Sequence, residues 1–244
     1  MTRPTLQDLS MTEILALAEQ VEEGLAALRR KETLAVVFVD LVGSTEFKDG
    51  NPNEDVWLPR LATFLQSASN ILSINGNVVK YIGDEVMATF PEPDGALHAE
   101  HAAEEIYAFC RRFTKYQFQV KIALDYGTAS LVTFGSNDAD DQPWILRDPQ
   151  GMIVDRCARI IGRALPNTVL CSRNFFEARS MPRRWRRCGS FQAKGLRKKV
   201  EVFQLELEGS GRVEIGNNPM PLPECLKKLK ELEGVVAAMK ELQR

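Results

Sequence analysis

The chain has 244 residues, 44% of them apolar, and a formal net charge of -2. That length and apolar content suit one generous domain with helical extensions, and a core that needs no covalent staples. The near-neutral charge gives no reason to expect general nucleic-acid binding; the local cluster Arg183-Arg184-Trp185-Arg186-Arg187 reads as a solvated edge or a local attractor of phosphate. Five cysteines (Cys110, Cys157, Cys171, Cys188, Cys225) are odd in number and lack CxxC or His/Cys spacing. They are expected to be reduced and mostly buried, with neither a disulfide framework nor a zinc site. No basic segment leads into a long apolar stretch at the N-terminus, and no run of about 18 apolar residues occurs. Neither a signal peptide nor a membrane span is expected, and the cytosol is the default compartment.

In chain order, Leu6, Leu9, Ile14, Leu17, Val21, Leu25 and Leu28 recur at helical spacing across residues 5–30, which predicts an amphipathic helix leading into the first strand. The pattern then reads as strand 33–40, helix 54–74, strands 77–82 and 85–90, helix 94–114, and strands 118–125 and 128–134. Residues 135–150 carry Asp138, Asp140, Asp141, Pro143 and Pro149 with little periodicity and read as a loop. Helix 151–164, strand 167–171, helix 172–179 and strands 185–193 and 199–206 follow. Gly209, Gly211, Gly216, Asn217 and Asn218 mark a linker, and Leu226, Leu229, Leu232, Val236 and Met239 mark a terminal helix with a narrow apolar seam. That seam packs either on its own domain or on a second subunit. The divisions are therefore 1–32 (N-terminal helix), 33–207 (main domain) and 208–244 (linker and helix). Adjacent strand pairs between helices fit an α+β sheet covered by helices better than a doubly wound parallel sheet.

Chemistry enters with two carboxylates. Val36-Val37-Phe38-Val39-Asp40 and the run from Val79 to Phe90 each place an aspartate, Asp40 and Asp84, inside an otherwise apolar strand pattern. A charge is costly there unless a cation or partner compensates it. If the strands lie side by side, the pair converges at one end of a sheet and can hold divalent cations against phosphate oxygens.

Four segments in order then resemble the class III nucleotidyl cyclases, which convert a nucleoside triphosphate to a 3′,5′-cyclic monophosphate and pyrophosphate: Phe38-Val39-Asp40-Leu41-Val42-Gly43-Ser44-Thr45, Lys80-Tyr81-Ile82-Gly83-Asp84, Gly151 to Arg159, and Ala193-Lys194-Gly195. The resemblance spans roughly residues 33 to 206. It implies a ferredoxin-like α+β domain with a central, mostly antiparallel sheet. It makes Asp40 and Asp84 ligands of two Mg2+ or Mn2+ ions, with the Leu41 carbonyl an additional one. Gly43, Ser44 and Thr45 match a phosphate-binding turn, and Lys194 a lysine on the triphosphate. Arg159 matches the arginine that stabilises charge developing on the α-phosphate. Asp155, four residues earlier and on the same helix face, stands where the family usually has asparagine; it could pair with Arg159 or Arg156, or accept a hydrogen bond from the ribose. In this family the metal aspartates and the arginine of one site come from different chains, so a homodimer with two composite sites is implied.

Lys80 and Asp148 fall where adenylyl cyclases carry an adenine-reading pair, which favours ATP. The compact plan, with no recognisable sensor domain, is most similar to the Pycsar pyrimidine cyclases of bacterial antiphage defence, whose cyclic UMP or cyclic CMP activates a separate effector, and this favours UTP. Phe47, Tyr81 and Trp144 are available to fill the space a purine would occupy. The competing expectations are an adenylyl cyclase and a catalytically silent nucleotide-binding or dimerisation module. A diguanylate cyclase is disfavoured because Ile82-Gly83-Asp84-Glu85-Val86 is not its Gly-Gly-Asp-Glu-Phe signature.

Overall fold

The computed structural model of the protein describes residues 10–16, 19, 29–136, 144–179 and 184–216. In chain order the elements are β1 (Arg29–Leu41), α1 (Ser44–Gly50), α2 (Glu54–Leu72), β2 (Asn77–Ile82), β3 (Glu85–Pro91), α3 (Gly95–Arg112), β4 (Val120–Ser136), β5 (Trp144–Gln150), α4 (Met152–Ile161), β6 (Thr168–Ser172), α5 (Arg173–Ala178), β7 (Trp185–Phe191) and β8 (Val200–Leu205). From Leu34 to Val39 every side chain of β1 is buried, as expected of a strand with both faces covered. β1 accordingly lies between β3 and β4, antiparallel to both. The sheet runs β2-β3-β1-β4-β6-β8-β7, with β5 beside β4, and β4 with β6 is its parallel pair.

Strand alternation sorts the core into two layers. Ala35, Val37, Val39 and Leu41 face α2 and α3, meeting Phe64, Leu72, Ala99 and Ile106. Leu34, Val36 and Phe38 face α4, whose Ile153, Cys157, Ile160 and Ile161 form one apolar stripe at helical spacing. The main contacts of α4 are with β4, β1 and β6. The α4 face therefore opens towards β3 and the edge strand β2, whose residues are exposed or half-buried.

The mostly antiparallel α+β architecture agrees with the expectation; three local features differ. Residues 118–134 form no hairpin: β4 runs unbroken through Tyr126-Gly127-Thr128. Gly127 (φ 153) is there because α4 comes close, with Ile153 Cγ2 only 2.9 Å from where a Cβ would stand. Part of the expected loop 135–150 is instead β5, paired along the far half of β4. Residues 11–16 are helical, but the chain is already strand by Arg29, at the end of the expected N-terminal helix. Residues 208–216 lie against the domain, with Val213 buried and Ile215 bridged to Gly189.

Cys110, Cys157, Cys171 and Cys188 are free and buried; Cys225, the C-terminal helix, most of the N-terminal helix and residues 137–143 lie outside the described residues. Of the basic cluster, Arg183 lies outside the described residues; Arg184 pairs with Glu104, Arg186 with Glu214 and Arg187 with Glu201, and Trp185 is buried against Glu100. Among the described residues no helix is long and apolar enough to cross a membrane.

Candidate active site

Asp40 stands near the end of β1, directly opposite Glu85 on β3 and Lys121 on β4. Directly opposed residues share a sheet face, so a carboxylate, a second carboxylate and an ammonium form a row on the α4 face. Lys121 Nζ lies 3.6 Å from Asp40 Oδ2. Asp84 enters from the β2–β3 turn, and the Ser44 hydroxyl, itself buried, donates to Asp84 Oδ2. That bond ties the turn after β1 to the hairpin. Gly43 makes the turn possible: it sits at φ 70, ψ 22 with open space where a Cβ would be, so backbone conformation rather than crowding calls for glycine. Leu41 buries its side chain on the opposite face, so only its backbone is available to an ion here, and Thr45 is exposed.

The cluster is electrostatically crowded. Burial pushes the Asp40 carboxyl up, Lys121 opposes the shift and Asp84 adds to it. Burial, together with Asp40 and Asp84, pushes Glu85 up to about 7. A divalent cation would relieve this, and hard carboxylate oxygens suit Mg2+ or Mn2+. Among the described residues no three acidic, His or Cys side chains form a ready-made cage.

Lys80, on β2, donates from Nζ to Asp148 Oδ2 on β5 at 2.7 Å. Asp148 is buried, and its Oδ1 has no hydrogen-bond partner among the described residues. A buried acceptor without a donor costs about 1–3 kcal/mol. The pair thus offers a bound molecule one donor and one free acceptor side by side.

Asp155, Arg159 and Lys194 are all exposed, the first two on α4 and the third in the β7–β8 connection. No described hydrogen bond or ion pair links them to the carboxylates. Asp155 pairs with neither Arg159 nor Arg156, whose guanidinium turns inward to Asp125 on β4. Beside α4 a cavity of about 590 Å3 is lined by Arg156, Arg173, Gly195, Arg197, Lys198 and Lys199 among others, a basic surface suited to a polyanion.

No family model matches the sequence, and neither does any curated protein. Solved structures do match. The adenylyl cyclase CyaB from P. aeruginosa aligns with a TM-score of 0.65 at 19% identity, over 77% of this chain and 99% of that one. The guanylyl cyclase Cya2 aligns at 0.63 and 18% identity, over 77% and 98%. The guanylate cyclase domain of RhGC from Catenaria anguillulae, in complex with GTP, aligns at 0.61 and 16%, over 72% and 98%. The fold is that of the class III cyclases.

Within this cyclase fold, two residues of the carboxylate cluster escape the sequence patterns used above. Lys121 is a lone cation inside Val120-Lys121-Ile122-Ala123-Leu124, the same kind of interruption that singled out Asp40, and Glu85 follows Asp84 directly. Two of the side chains considered for reading the base are elsewhere. Tyr81 opposes Val86 on the α2–α3 face and its hydroxyl meets Ser69 of α2. Phe47 lies beneath the Arg60 guanidinium, 4.6 Å from its ring. The side chain of Trp144 lies outside the described residues.

Proposed function

We propose that the protein is a nucleotidyl cyclase that converts a nucleoside triphosphate to its 3′,5′-cyclic monophosphate and pyrophosphate, in a homodimer with two composite sites. The observation that carries this reading is the clustering of Asp40, Asp84 and Glu85 at one end of a sheet of cyclase fold, with Ser44 holding Asp84 and Lys121 beside Asp40. Asp40 and Asp84, with the Leu41 carbonyl, would hold two Mg2+ or Mn2+ ions. When bound, the ions supply activation of the ribose 3′-hydroxyl and neutralise charge on the triphosphate.

The chain's own groups do the rest. Backbone N–H groups at Gly43, Ser44 and Thr45 point towards phosphate, and the Ser44 hydroxyl is committed to orienting Asp84. Lys121 offsets carboxylate charge from the same subunit. The partner subunit brings the α4 arginine to the α-phosphate and the β7–β8 lysine to the outer phosphates, which is consistent with Arg159 and Lys194 being exposed. Asp155 accepts a hydrogen bond from a ribose hydroxyl.

For the base, UTP is the first assignment, on the resemblance to the Pycsar cyclases; the product would be cyclic UMP, read by a separate effector in a cytosolic antiphage response. Uracil offers its N3–H to the free Asp148 Oδ1 and its O4 to Lys80. A second assignment, ATP, is supported by the same Lys80–Asp148 pair, because adenine offers an amino donor beside the N1 acceptor. Incubation with Mn2+ and each of ATP, GTP, CTP and UTP, with products identified by mass spectrometry, separates these. Cyclic UMP supports the first assignment and cyclic AMP the second. No cyclic product from any of the four would leave a silent nucleotide-binding module.

A further inference from the structure

Asp125 is a carboxylate that this cyclase reading does not use. It is 0% exposed, on the α4 side of β4 because it alternates with Ala123 through Leu124. Such a group is costly unless its oxygens are met. Arg156 donates from Nε to Oδ2 at 2.6 Å and from Nη2 to Oδ1 at 2.8 Å, and the Ser172 hydroxyl and the Tyr126 N–H also donate to Oδ1. The cluster therefore joins α4, β4 and the end of β6.

Other attachments of α4 are less directional. No side chain caps its N-terminus at Gly151. Ile153, Cys157, Ile160 and Ile161 hold it by apolar contact, which resists separation more than rotation or sliding. The Cys157 thiol adds a weak hydrogen bond of 3.6 Å to the Val36 carbonyl. The two-pronged Arg156 contact, by contrast, fixes both the rotation of the helix about its axis and its position along β4. Arg159 lies three residues on, one position round the same surface. It is exposed and has no ion pair or hydrogen bond to a described side chain, so among the described residues its aim follows that of the helix.

We propose that Asp125, Arg156 and Ser172 form a positioning device that sets the rotation of α4 and thereby aims Arg159 at the α-phosphate held by the partner subunit. This rests on the composite-site reading above. Misplacement by about 1 Å can cost a catalytic group about 100-fold in rate, and lysine cannot reproduce the two-pronged contact of arginine.

Arg156→Lys is accordingly expected to lower kcat by about 100-fold with little change in KM, the split expected when a transition-state contact is lost. Because breaking one half of a buried pair can unfold a protein, a second variant is needed. Asp125→Asn with Arg156→Met keeps an acceptor for Ser172 and Tyr126 N–H, fills the arginine stem and leaves no buried charge. It should stay folded, melting a few degrees below wild type because the new amide N–H group has no acceptor, and still lose kcat to a similar extent. A folded double variant with wild-type kcat would reduce the cluster to a structural tie and overturn the assignment.

The deciding measurement uses co-expressed, differently tagged heterodimers. Pairing an Arg156→Lys subunit with an Asp40→Ala subunit leaves one site with wild-type Asp40 and a wild-type α4, so about half of the wild-type rate should return. An Asp40→Ala subunit paired with an Arg159→Ala subunit is the reference. If the reference works and the Arg156→Lys pairing does not, Arg156 does not act through Arg159 and the proposal fails alone. An inactive reference overturns the composite-site reading, and this proposal with it.

Discussion

Asp40→Asn separates catalysis from stability at the carboxylate cluster, because it keeps the shape of the side chain and removes its charge. In the metal-free protein that charge is poorly accommodated: burial raises the pKa, Lys121 opposes this and Asp84 adds to it. At the 3.6 Å separation from Lys121, the gross attraction is about 4–5 kcal/mol at an effective dielectric constant of about 20. Both side chains are about a quarter exposed, 28% for Lys121 and 24% for Asp40. Screening and side-chain ordering therefore leave a net of at most about 1 kcal/mol, and relief of repulsion from Asp84 and Glu85 offsets it. The unfolding temperature without metal should thus move by no more than about 2–4 °C. Turnover should fall by about 1,000-fold or more, since several kcal/mol of charge stabilisation goes with the ligand. Mn2+ at about 100 times its Kd should stabilise the wild type by about 2.7 kcal/mol and have little effect on the variant. Product formation by mass spectrometry and thermal unfolding with and without Mn2+ read both quantities. Turnover within about tenfold of wild type, or an undiminished Mn2+ shift, would refute the role given to Asp40.

Lys80→Ala should cost the preferred nucleotide about 10–100-fold in kcat/KM, the worth of one charged hydrogen bond. It should flatten the preference among the four triphosphates without changing the Mn2+ shift; an unchanged preference would remove Lys80 from base reading. Phe64→Ala empties a fully buried position beside Phe118, whose ring centroid lies 5.5 Å away, and should cost about 3–5 kcal/mol in urea unfolding; a loss below about 1 kcal/mol would contradict the placement of the core. Burial pushes the Cys110 and Cys188 thiols up to about 12 and about 11, and Cys157 and Cys171 well above the ordinary 9.0. Above pH 9 the unfolded thiols ionise while the folded ones keep their protons, so stability should fall as pH rises, by up to about 1.4 kcal/mol per unit for each thiol. In the native protein at pH 8 these four should also resist a thiol reagent that modifies them all in denaturant.

What could be read from the sequence follows from how local each signal is. β1 and the β2–β3 hairpin carry long apolar runs, and α4 carries a clear stripe, so Asp40, Asp84, Asp155 and Arg159 could be placed on elements before any fold was known. β5 carries no strand signal of its own because Arg147, Asp148 and Pro149 give it no alternation, and it is held by pairing with β4. The sidedness of β2 was also hidden: a register shift between Val78 and Lys80 turns Lys80 to the α4 face with Met87 and sends Tyr81 to the other with Val86. Sequence adjacency suggested Asp155 as a partner for Arg156, whereas the actual partner, Asp125, lies 31 residues away across the fold. Asp125 interrupts an apolar strand as Asp40 does, so its need of a partner was legible but the partner's identity was not.

The most direct test of the central claim is the activity of a heterodimer made from one Asp40→Ala subunit and one Arg159→Ala subunit, with both parent homodimers measured beside it. A cyclase with composite sites predicts two inactive parents and a heterodimer with about half of the wild-type rate, since one of its two sites is whole. A heterodimer as inactive as its parents, or turnover by either parent, would contradict the account.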